Sequence, residues 1–424
     1  MFRSLFKNYL SLLGGEAFSK LVVFAAFVYL ARLVGPANFG HAEWAAAVLM
    51  CAGLVVDNGL NSYGAREIAK NPERTVRLAA EIVTARFVLA AVSYFILTAV
   101  AVRFVRERIV AQLLLVFGLS LWGLPLLLNW VFQGHDRMRT VALTQMIRHT
   151  VFALTVFAFV RGADSLVFFA AAEVAGVASA AAFSVWMFRR SFADGKPFRP
   201  AFSTKLFREG LPIGMSQMFW VAKMYGATLI FGLIATPEET GYFAAAMRVL
   251  IGLHAFVWLY YLNLLPSMAR AWQKGREPFA ELIGGSMRIV VLLCLAGASL
   301  WIGAAPYAIT LAYGEKFAGG IGALRWLAGV CAAAALSGHF RFGLIAAGHQ
   351  SREMMTAALG AVLAAFFIPL GYYRWGTSGA AAGLCAAEIL VLLCAWLIAR
   401  RTLFGAEAAQ AEEGSLKGLP ETVG

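Results

Sequence analysis

The amino-acid sequence predicts an all-α polytopic membrane protein with 12 transmembrane helices in two six-helix bundles related by a pseudo-twofold axis. Of its 424 residues, 61% are apolar and 14% are charged, whereas about 25% of residues are charged in soluble domains. Apolar windows long enough to cross a bilayer recur along the chain, and a stretch of the first half is repeated in the second half. Composition, window length and repetition together favour a membrane protein built from two similar parts.

Each predicted span is a window of about 19 mostly apolar residues, enough to cross about 30 Å of hydrocarbon as a helix. In the first half, the spans cover residues 10–33, 40–62, 76–101, 109–132, 138–160 and 164–188. In the second half, they cover residues 209–234, 240–266, 280–304, 320–345, 353–373 and 377–399. The predicted domains are an amino-terminal bundle (1–188), a basic cytoplasmic linker (189–208), a carboxy-terminal bundle (209–400) and a disordered cytoplasmic tail (401–424).

The repeat is clearest at the first span of each half. Residues 10–40 align without a gap with residues 211–241. Lys20 and Lys223 fall within one helical turn of matching positions. The residues that end the two helices also match: Pro36 with Pro237, and Gly40 with Gly241. Two halves of similar plan, each opening with a charged helix, are typical of a transporter built from repeats.

Lys and Arg outside the spans are concentrated on the side that carries both termini, most densely in the linker 189–208. By the positive-inside rule this side is cytoplasmic, and the distribution accounts for the formal net charge of +13 without a nucleic-acid partner. Arg103, Arg106 and Arg108 are exceptions on the outer side, where they face either lipid headgroups or a ligand. The first span is too long for a cleaved signal peptide, so we expect it to remain as the first helix.

The sequence holds no pattern typical of catalysis. No nucleophile lies at a usable spacing from a base, no Gly-rich phosphate loop is present, and the five cysteines fall inside apolar spans without a CxxC pair. We therefore expect no enzymatic activity, no cofactor and no metal. Every loop on the outer side is short, which argues against a membrane glycosyltransferase or polymerase, since such enzymes need an external domain with acidic catalytic residues.

Ionisable residues occur inside the predicted spans, where each costs about 2.5 to 3.5 kcal/mol at a helix centre. Basic residues outnumber acidic ones there, which predicts a hydrated interior that binds an anion, and the planar fork of arginine suits phosphate oxygens. The predicted substrate-binding residues are Lys20, Arg86, Arg148, Lys223 and Arg248. The predicted ion-coupling or charge-pairing residues are Glu16, Asp57 and Glu388.

Several of these side chains have a purely structural alternative. Glu16 and Lys20 are one helical turn apart, so they form either an intrahelical pair or part of a site. Arg341 lies near a cytoplasmic helix end, where its guanidinium either reaches the headgroups or faces the interior. The histidines inside the spans, among them His339, are expected to pack between helices rather than carry protons.

Five sequence segments occur in an order found in one family. They are FSKLVVFAAFVYLARLVGPANFG, VDNGLNSYGAREIAKNP, NWVFQGHDRMR, GYFAAAMRVL and IPLGYYRWGTSGAAAGLCAAEIL. The segments are spread over residues 8–399 and resemble the oligosaccharide (O-antigen type) flippases of the multidrug/oligosaccharidyl-lipid/polysaccharide (MOP) superfamily.

This resemblance implies two bundles around a central cavity that opens alternately to the two sides of the bacterial inner membrane. The implied cargo is a polyprenyl-diphosphate-linked oligosaccharide, flipped from the cytoplasmic to the periplasmic leaflet for surface polysaccharide (O-antigen, capsule or exopolysaccharide) biosynthesis. The implied partners are membrane lipids, a polysaccharide polymerase and chain-length proteins. Two alternatives stay open: a cation-coupled multidrug antiporter, which the excess of basic residues disfavours, and a non-transporting scaffold of polysaccharide enzymes.

Overall fold

The computed structural model describes residues 2–193, 200–201, 206, 219 and 224–405, with side chains from residue 19 onward except at residue 193. Every regular element in these residues is helical, which confirms the predicted all-α fold class. The helices are α1 Phe2–Asp57, α2 Leu60–Lys70, α3 Thr75–Arg103, α4 Arg108–Leu119, α5 Asn129–Gly134, α6 Met138–Phe159, α7 Val167–Phe188, α8 Met224–Ile234, α9 Pro237–Lys274, α10 Arg276–Tyr313, α11 Ile321–Ala346 and α12 Gln350–Leu403.

Nine helical stretches in the described residues are long and apolar enough to cross a membrane, and α8 is a shorter apolar helix. The stretches that contain α1 and α12 are each divided into two arms by a break in the backbone. The breaks fall at Gly35 and at Trp375–Gly376, where the sequence predicts junctions between spans. The chain is therefore a multi-pass helical membrane protein, while the count of twelve spans and their two-bundle layout stay predictions.

The break in α1 has a local cause. Gly35 adopts a φ of 75°, a left-handed conformation that glycine takes without a steric penalty. The following Pro36 disfavours a helical conformation at the residue before it. Proline is itself favoured at the first position of a helix, because its missing N–H would have no partner there. Gly35 and Pro36 thus end one arm of α1 and begin the next.

The chain divides into two compact units. Unit 1 comprises Met1–Ala244 and Thr310–Ala318, and unit 2 comprises Ala245–Ile309 and Gly319–Gly424. The division falls after Ala244 and not within the predicted linker 189–208, much of which lies outside the described residues. The predicted domain boundaries therefore stay a prediction.

In unit 1, successive helix junctions lie at alternate ends, as they must when consecutive helices cross the unit. One end, here called the core end, brings together Thr75, His135 and Phe192 from three junctions. The Oγ1 of Thr75 lies 2.8 Å from the Nε2 of His135, whose ring stacks on Phe192 at a centroid distance of 4.4 Å. These residues border a hydrophobic core that contains the fully buried Trp130 and Phe132.

The other end of unit 1, here called the seam end, gathers the intervening junctions. Residues 40–41 at the start of the second arm of α1, residues 104–107 between α3 and α4, and residues 235–237 between α8 and α9 line one cavity there. The junction after α6 is tied to the first arm of α1, because the Tyr29 hydroxyl donates to the Val160 carbonyl oxygen over 3.1 Å. The two ends are therefore built from different sets of junctions.

In unit 2, α11 packs against α12, and the two arms of α12 pack against each other. A Cβ on Gly371 would lie 2.0 Å from the Gly379 carbonyl oxygen, and a Cβ on Gly379 would lie 2.1 Å from the Gly371 carbonyl oxygen. Small residues allow helices in membranes to approach this closely. We call this reciprocal approach of Gly371 and Gly379 the hairpin contact.

Candidate functional site

An arginine–carboxylate pair joins two neighbouring helices of unit 1. The Nη2 of Arg148 on α6 donates to Oε1 of Glu173 on α7 over 2.5 Å. Gly176, one turn beyond Glu173, lies against the Arg148 backbone, where a Cβ would come within 2.7 Å of the carbonyl oxygen. The side chains of Arg148 and Glu173 are still 24% and 19% exposed. The scaffold therefore holds the pair firmly, and neither side chain is fully enclosed.

The guanidinium of Arg148 is not saturated by this pair. Its Nε is buried and makes no hydrogen bond within the described part of the chain. A guanidinium has five N–H donors in a planar fork that matches two oxygens of a phosphate group. Because this Nε is enclosed by protein, a phosphate that displaced the Glu173 carboxylate would bind at the Nη groups of the guanidinium.

Arg86 on α3 sits in a closed environment. Its side chain is 3% exposed, its Nη1 donates to Asn61 Oδ1 over 3.1 Å, and its Nη2 lies 3.9 Å from Asp57 Oδ1. Asp57 ends α1, and left-handed conformations at Asn58 and Gly59 turn the chain so that Asn61 faces the same guanidinium. Asp57 thus lies where a charge-pairing residue would, whereas Arg86 offers a substrate no open surface in this conformation.

The backbone of unit 1 is interrupted between α4 and α5. Two short 3₁₀ turns, Ser120–Trp122 and Leu124–Leu126, replace the α-helix there. The N–H of Leu128 donates to the Oγ of fully buried Ser184 over 2.9 Å, which satisfies a backbone group freed by the break. Non-helical backbone at membrane depth is tolerated where protein encloses it, and in transporters it commonly marks a functional region.

The seam end contains a reciprocal contact between the two repeated stretches. A Cβ on Gly40 would lie 1.9 Å from the Pro237 carbonyl oxygen, and a Cβ on Gly241 would lie 2.0 Å from the Pro36 carbonyl oxygen. These are the residues that the sequence alignment matches, Pro36 with Pro237 and Gly40 with Gly241. The contact is therefore its own counterpart under a local twofold axis. We call these four residues the seam.

Arg32 ties a third segment of unit 1 to the region of the seam. Its Nε donates to the Ala312 carbonyl oxygen over 2.7 Å, and its Nη2 donates to the Leu311 carbonyl oxygen. Both carbonyls lie in the last turn of α10, where helix carbonyls lack intrahelical partners and the helix dipole favours a cation. The fully buried Phe39 packs against Phe317 just beyond that turn, with ring centroids 5.7 Å apart.

The remaining predicted site residues are dispersed. Lys20 is exposed on α1 of unit 1, whereas Arg248, which is partly buried, and Glu388, which is 1% exposed, belong to unit 2. Lys223 and the side chain of Glu16 lie outside the described residues. Their roles in substrate binding and ion coupling stay predictions.

The sequence prediction missed the partners of several basic residues. These partners are Glu173 for Arg148, Asn61 for Arg86, and Glu353 for Arg341. Glu173 had a detectable signal, since it is a deep acidic residue in the span that follows the span of Arg148, and consecutive elements are usually neighbours. The Arg341 guanidinium, which the sequence left either at the headgroups or in the interior, is engaged by Glu353, with Nε 3.1 Å from Oε1.

Unit 2 contains a polar cluster around His339, whose side chain is fully buried. Its Nδ1 lies 2.6 Å from the Tyr261 hydroxyl, and its Nε2 lies 3.1 Å from the Ser286 hydroxyl. The Tyr261 hydroxyl also lies 2.5 Å from the Ala335 carbonyl oxygen. Both ring nitrogens therefore have partners on other helices, which agrees with the expected helix-packing role of this histidine.

In the portion of the chain that the structure describes, no set of side chains is assembled for metal binding or thiol chemistry. No group of three or more His, Cys, Asp or Glu side chains is placed to hold an ion there. The five cysteines are unbonded, and all lie within helices. The absence of a cofactor stays a prediction.

Bilayer-length apolar helices, ion pairs between them and an interrupted helix define a membrane transporter scaffold. A family model described as Polysaccharide biosynthesis protein matches residues 5–272, and the chain belongs to this family. This membership agrees with the sequence resemblance to the oligosaccharide (O-antigen type) flippases of the MOP superfamily.

Individual proteins agree with this assignment. A predicted O-antigen transporter of Escherichia coli strain K12 is 23% identical over 330 residues, covering 70% of this chain and 75% of the relative. A predicted O-antigen transporter of Shigella dysenteriae is 20% identical over 393 residues, covering 91% and 98%. The solved structure of an inward-facing multidrug resistance MATE family transporter of the MOP superfamily shares the fold, with a TM-score of 0.72 at 15% identity, covering 91% and 94%.

Proposed function

We propose that this protein flips a polyprenyl-diphosphate-linked oligosaccharide from the cytoplasmic to the periplasmic leaflet of a bacterial inner membrane, for surface polysaccharide biosynthesis. The observation that carries the proposal is the seam, in which equivalent residues of the two repeats touch reciprocally. Such a contact can close one side of a repeat transporter and open as the repeats separate. Membership of a polysaccharide biosynthesis family supports a glycan-bearing cargo.

The proposed orientation places both termini in the cytoplasm and the seam end in the periplasm. Its support is the distribution of charge, since the junctions near the core end are rich in arginine and lysine. Among them, Arg66, Lys70 and Arg74 follow one another within a single junction and its flanking helix, and all three are exposed. The positive-inside rule assigns such junctions to the cytoplasmic side.

In the proposed mechanism, the cargo diphosphate displaces Glu173 and binds the Arg148 guanidinium. Lys20, Lys223, Arg86 and Arg248 are further candidates for the same anion as the helices move. Each hydrogen bond to a charged group is worth about 1.5 to 3 kcal/mol net. A distributed set can therefore hold the cargo firmly and still release it. Membrane lipids surround the transporter, and a polymerase and chain-length proteins would receive the glycan.

The experiment is complementation of a deletion strain with pair variants. We expect deletion to trap a lipid-linked oligosaccharide on the cytoplasmic side, and Arg148→Ala to lower surface polysaccharide strongly at normal protein abundance. Because the proposed role is cargo binding, adding Glu173→Ala to Arg148→Ala should not restore transport. The matched control is Arg77→Ala, which removes an arginine that is 78% exposed and paired with Glu81 over 3.1 Å.

Three outcomes would argue against the proposal. Restored transport in the double variant would make the Arg148–Glu173 pair purely structural. Normal surface polysaccharide with altered drug tolerance in the deletion strain would favour the antiporter. Full activity after neutralisation of Arg148 together with the other predicted basic residues would favour the scaffold.

A further inference from the structure

The cavity at the seam end is lined by ionisable side chains whose hydrogen-bonding groups are not used within the protein. Its volume is about 310 Å³, and Arg106, Glu107 and His41 all contribute to its lining. The side chains of the three make no hydrogen bond or ion pair in the described ranges, although the Glu107 carboxylate acts electrostatically on the His41 ring. Arg106 and Glu107 are exposed and His41 is partly buried. Their polar atoms are therefore available to a ligand.

The chemistry of this lining suits a neutral molecule rich in hydroxyl groups. Arg106 only donates hydrogen bonds, an ionised Glu107 only accepts them, and a neutral His41 does both. A sugar hydroxyl also donates and accepts, so each of these groups has a matching partner on a sugar ring. The opposite charges of Arg106 and Glu107 leave the lining near neutrality, which disfavours a diphosphate. Trp44 and Phe104 add aromatic surface for the apolar faces of such a ring.

The size and position of the cavity further limit the ligands that it can bind. Ligand pockets run from about 300 to 1,000 Å³, so this cavity admits one or two sugar residues and not a whole lipid-linked oligosaccharide. Gly40 and Pro237 belong both to the seam and to the cavity lining. A molecule held there touches both sides of the seam and stabilises its closed form.

We infer that this cavity is a saccharide-binding site for the glycan part of the cargo, separate from the Arg148–Glu173 pair and occupied when the seam is closed. The inference rests on the proposed function for the identity of the glycan. It also resolves the alternative that the sequence left open for the outer arginines. Arg106 serves a ligand, whereas Arg103 and Arg108 are not part of the lining.

The test uses the full-length protein in lipid nanodiscs and saturation-transfer NMR. The probe is the lipid-free repeat oligosaccharide released from the host's own surface polysaccharide by mild acid. We expect a saturable signal for the wild type, a several-fold weaker signal for Glu107→Gln, and loss of the signal for Ala235→Trp, which fills the cavity. Arg103→Gln, at the end of α3 next to the same junction but outside the lining, should keep the wild-type signal.

A signal that survives in Glu107→Gln and Ala235→Trp, or no saturable signal for the wild type, would overturn the inference. Displacement of the oligosaccharide by glycerophosphoethanolamine would make the cavity a lipid headgroup site instead. These failures are distinguishable from failure of the proposed function. The latter appears as normal surface polysaccharide in the deletion strain, whatever the NMR experiment gives.

Discussion

Two glycine pairs bring backbones into direct contact in the described residues, and they differ in the length of chain that connects them. In the seam, Gly40 and Gly241 belong to segments 201 residues apart. In the hairpin contact, Gly371 and Gly379 flank the break at Trp375–Gly376 within one helix. A Cβ on any of the four would come within about 2 Å of a carbonyl oxygen. The local packing is the same, so only the surroundings distinguish the two contacts.

The surroundings predict that one contact is fixed and that the other can open. The hairpin contact is extended by Gly383, where a Cβ would lie 2.0 Å from the Phe367 carbonyl oxygen, and the short connection holds both arms together. The seam has no short connection. Beside it, the exposed Arg32 donates to the last turn of α10, and a cavity borders the contact. Remote segments can separate by losing contacts alone, whereas the arms of a tight hairpin cannot separate without disturbing the helix ends.

The largest effect on folding is expected for Gly371→Ala. The new Cβ would overlap a backbone carbonyl that cannot move away, and overpacking of this kind costs about 1 to 3 kcal/mol. We expect a lower Tm and less monodisperse protein in detergent. The matched control is Gly297→Ala in α10, where nothing outside the neighbouring helix backbone lies within 4 Å of the new Cβ. An unchanged Tm for Gly371→Ala would show that the hairpin contact can give way, as is expected of the seam.

The next largest effect is expected for Gly40→Ala, which should impair transport and not folding. The Cβ would keep the seam from closing, so a complemented deletion strain should make several-fold less surface polysaccharide at normal protein abundance. The double variant with Gly241→Ala should be no worse than either single variant, because one Cβ already parts the segments. Gly226→Ala on α8, where the Cβ meets open space, serves as the control. Normal polysaccharide in Gly40→Ala would show that closure of the seam is dispensable.

A smaller effect is expected when Arg32 is changed to Gln. The variant loses charged hydrogen bonds to the last turn of α10, so the seam should open more often. The measurement is the labelling rate of Thr240→Cys, at a position that is 2% exposed and lines the cavity, in a background without the five native cysteines. We expect several-fold faster labelling with Arg32→Gln and intermediate labelling with Arg32→Lys. Equal labelling rates with Arg32, Arg32→Gln and Arg32→Lys would show that Arg32 does not stabilise the closed seam.

The smallest effect concerns the core end, which should stay packed while the seam moves. Burial, followed by the nearby Arg137, lowers the pKa of His135 below its ordinary value of 6.5. The folded state therefore binds this proton less well than the unfolded state does. The stability that depends on neutral His135 is present above pH 6.5 and is lost as the pH falls below it.

The variant that tests this is His135→Gln. Thr75 Oγ1 donates to the Pro72 carbonyl oxygen over 2.6 Å, so it accepts a hydrogen bond from His135 Nε2, and a glutamine amide can supply the same donor. Between about pH 7.5 and 5, the Tm of the wild type should fall slightly more than that of the variant. A larger fall in the variant would contradict the assigned direction of the pKa shift.

The sequence by itself determined that the chain is helical, that it crosses a membrane several times, and where α1 and α12 break. It predicted one continuous span over residues 109–132 and so missed the interruption between α4 and α5. A membrane span is recognised from the hydropathy of about 20 consecutive residues. The break at Gly35–Pro36 follows from the conformational preferences of two adjacent residues. The repeat that matches Gly40 with Gly241 is likewise visible in the sequence alone. These features depend on interactions within a short stretch of chain, so a single sequence contains them.

Only the tertiary structure decided which side chains meet. Arg148 engages Glu173, and Arg86 engages Asn61 and Asp57, because of how each helix is rotated about its axis and shifted along it. An apolar span that is hydrophobic on all sides fixes neither quantity, since lipid and neighbouring helices are nearly equivalent surroundings for it. For the same reason, the alignment could match Gly40 with Gly241 but could not show that the two backbones touch.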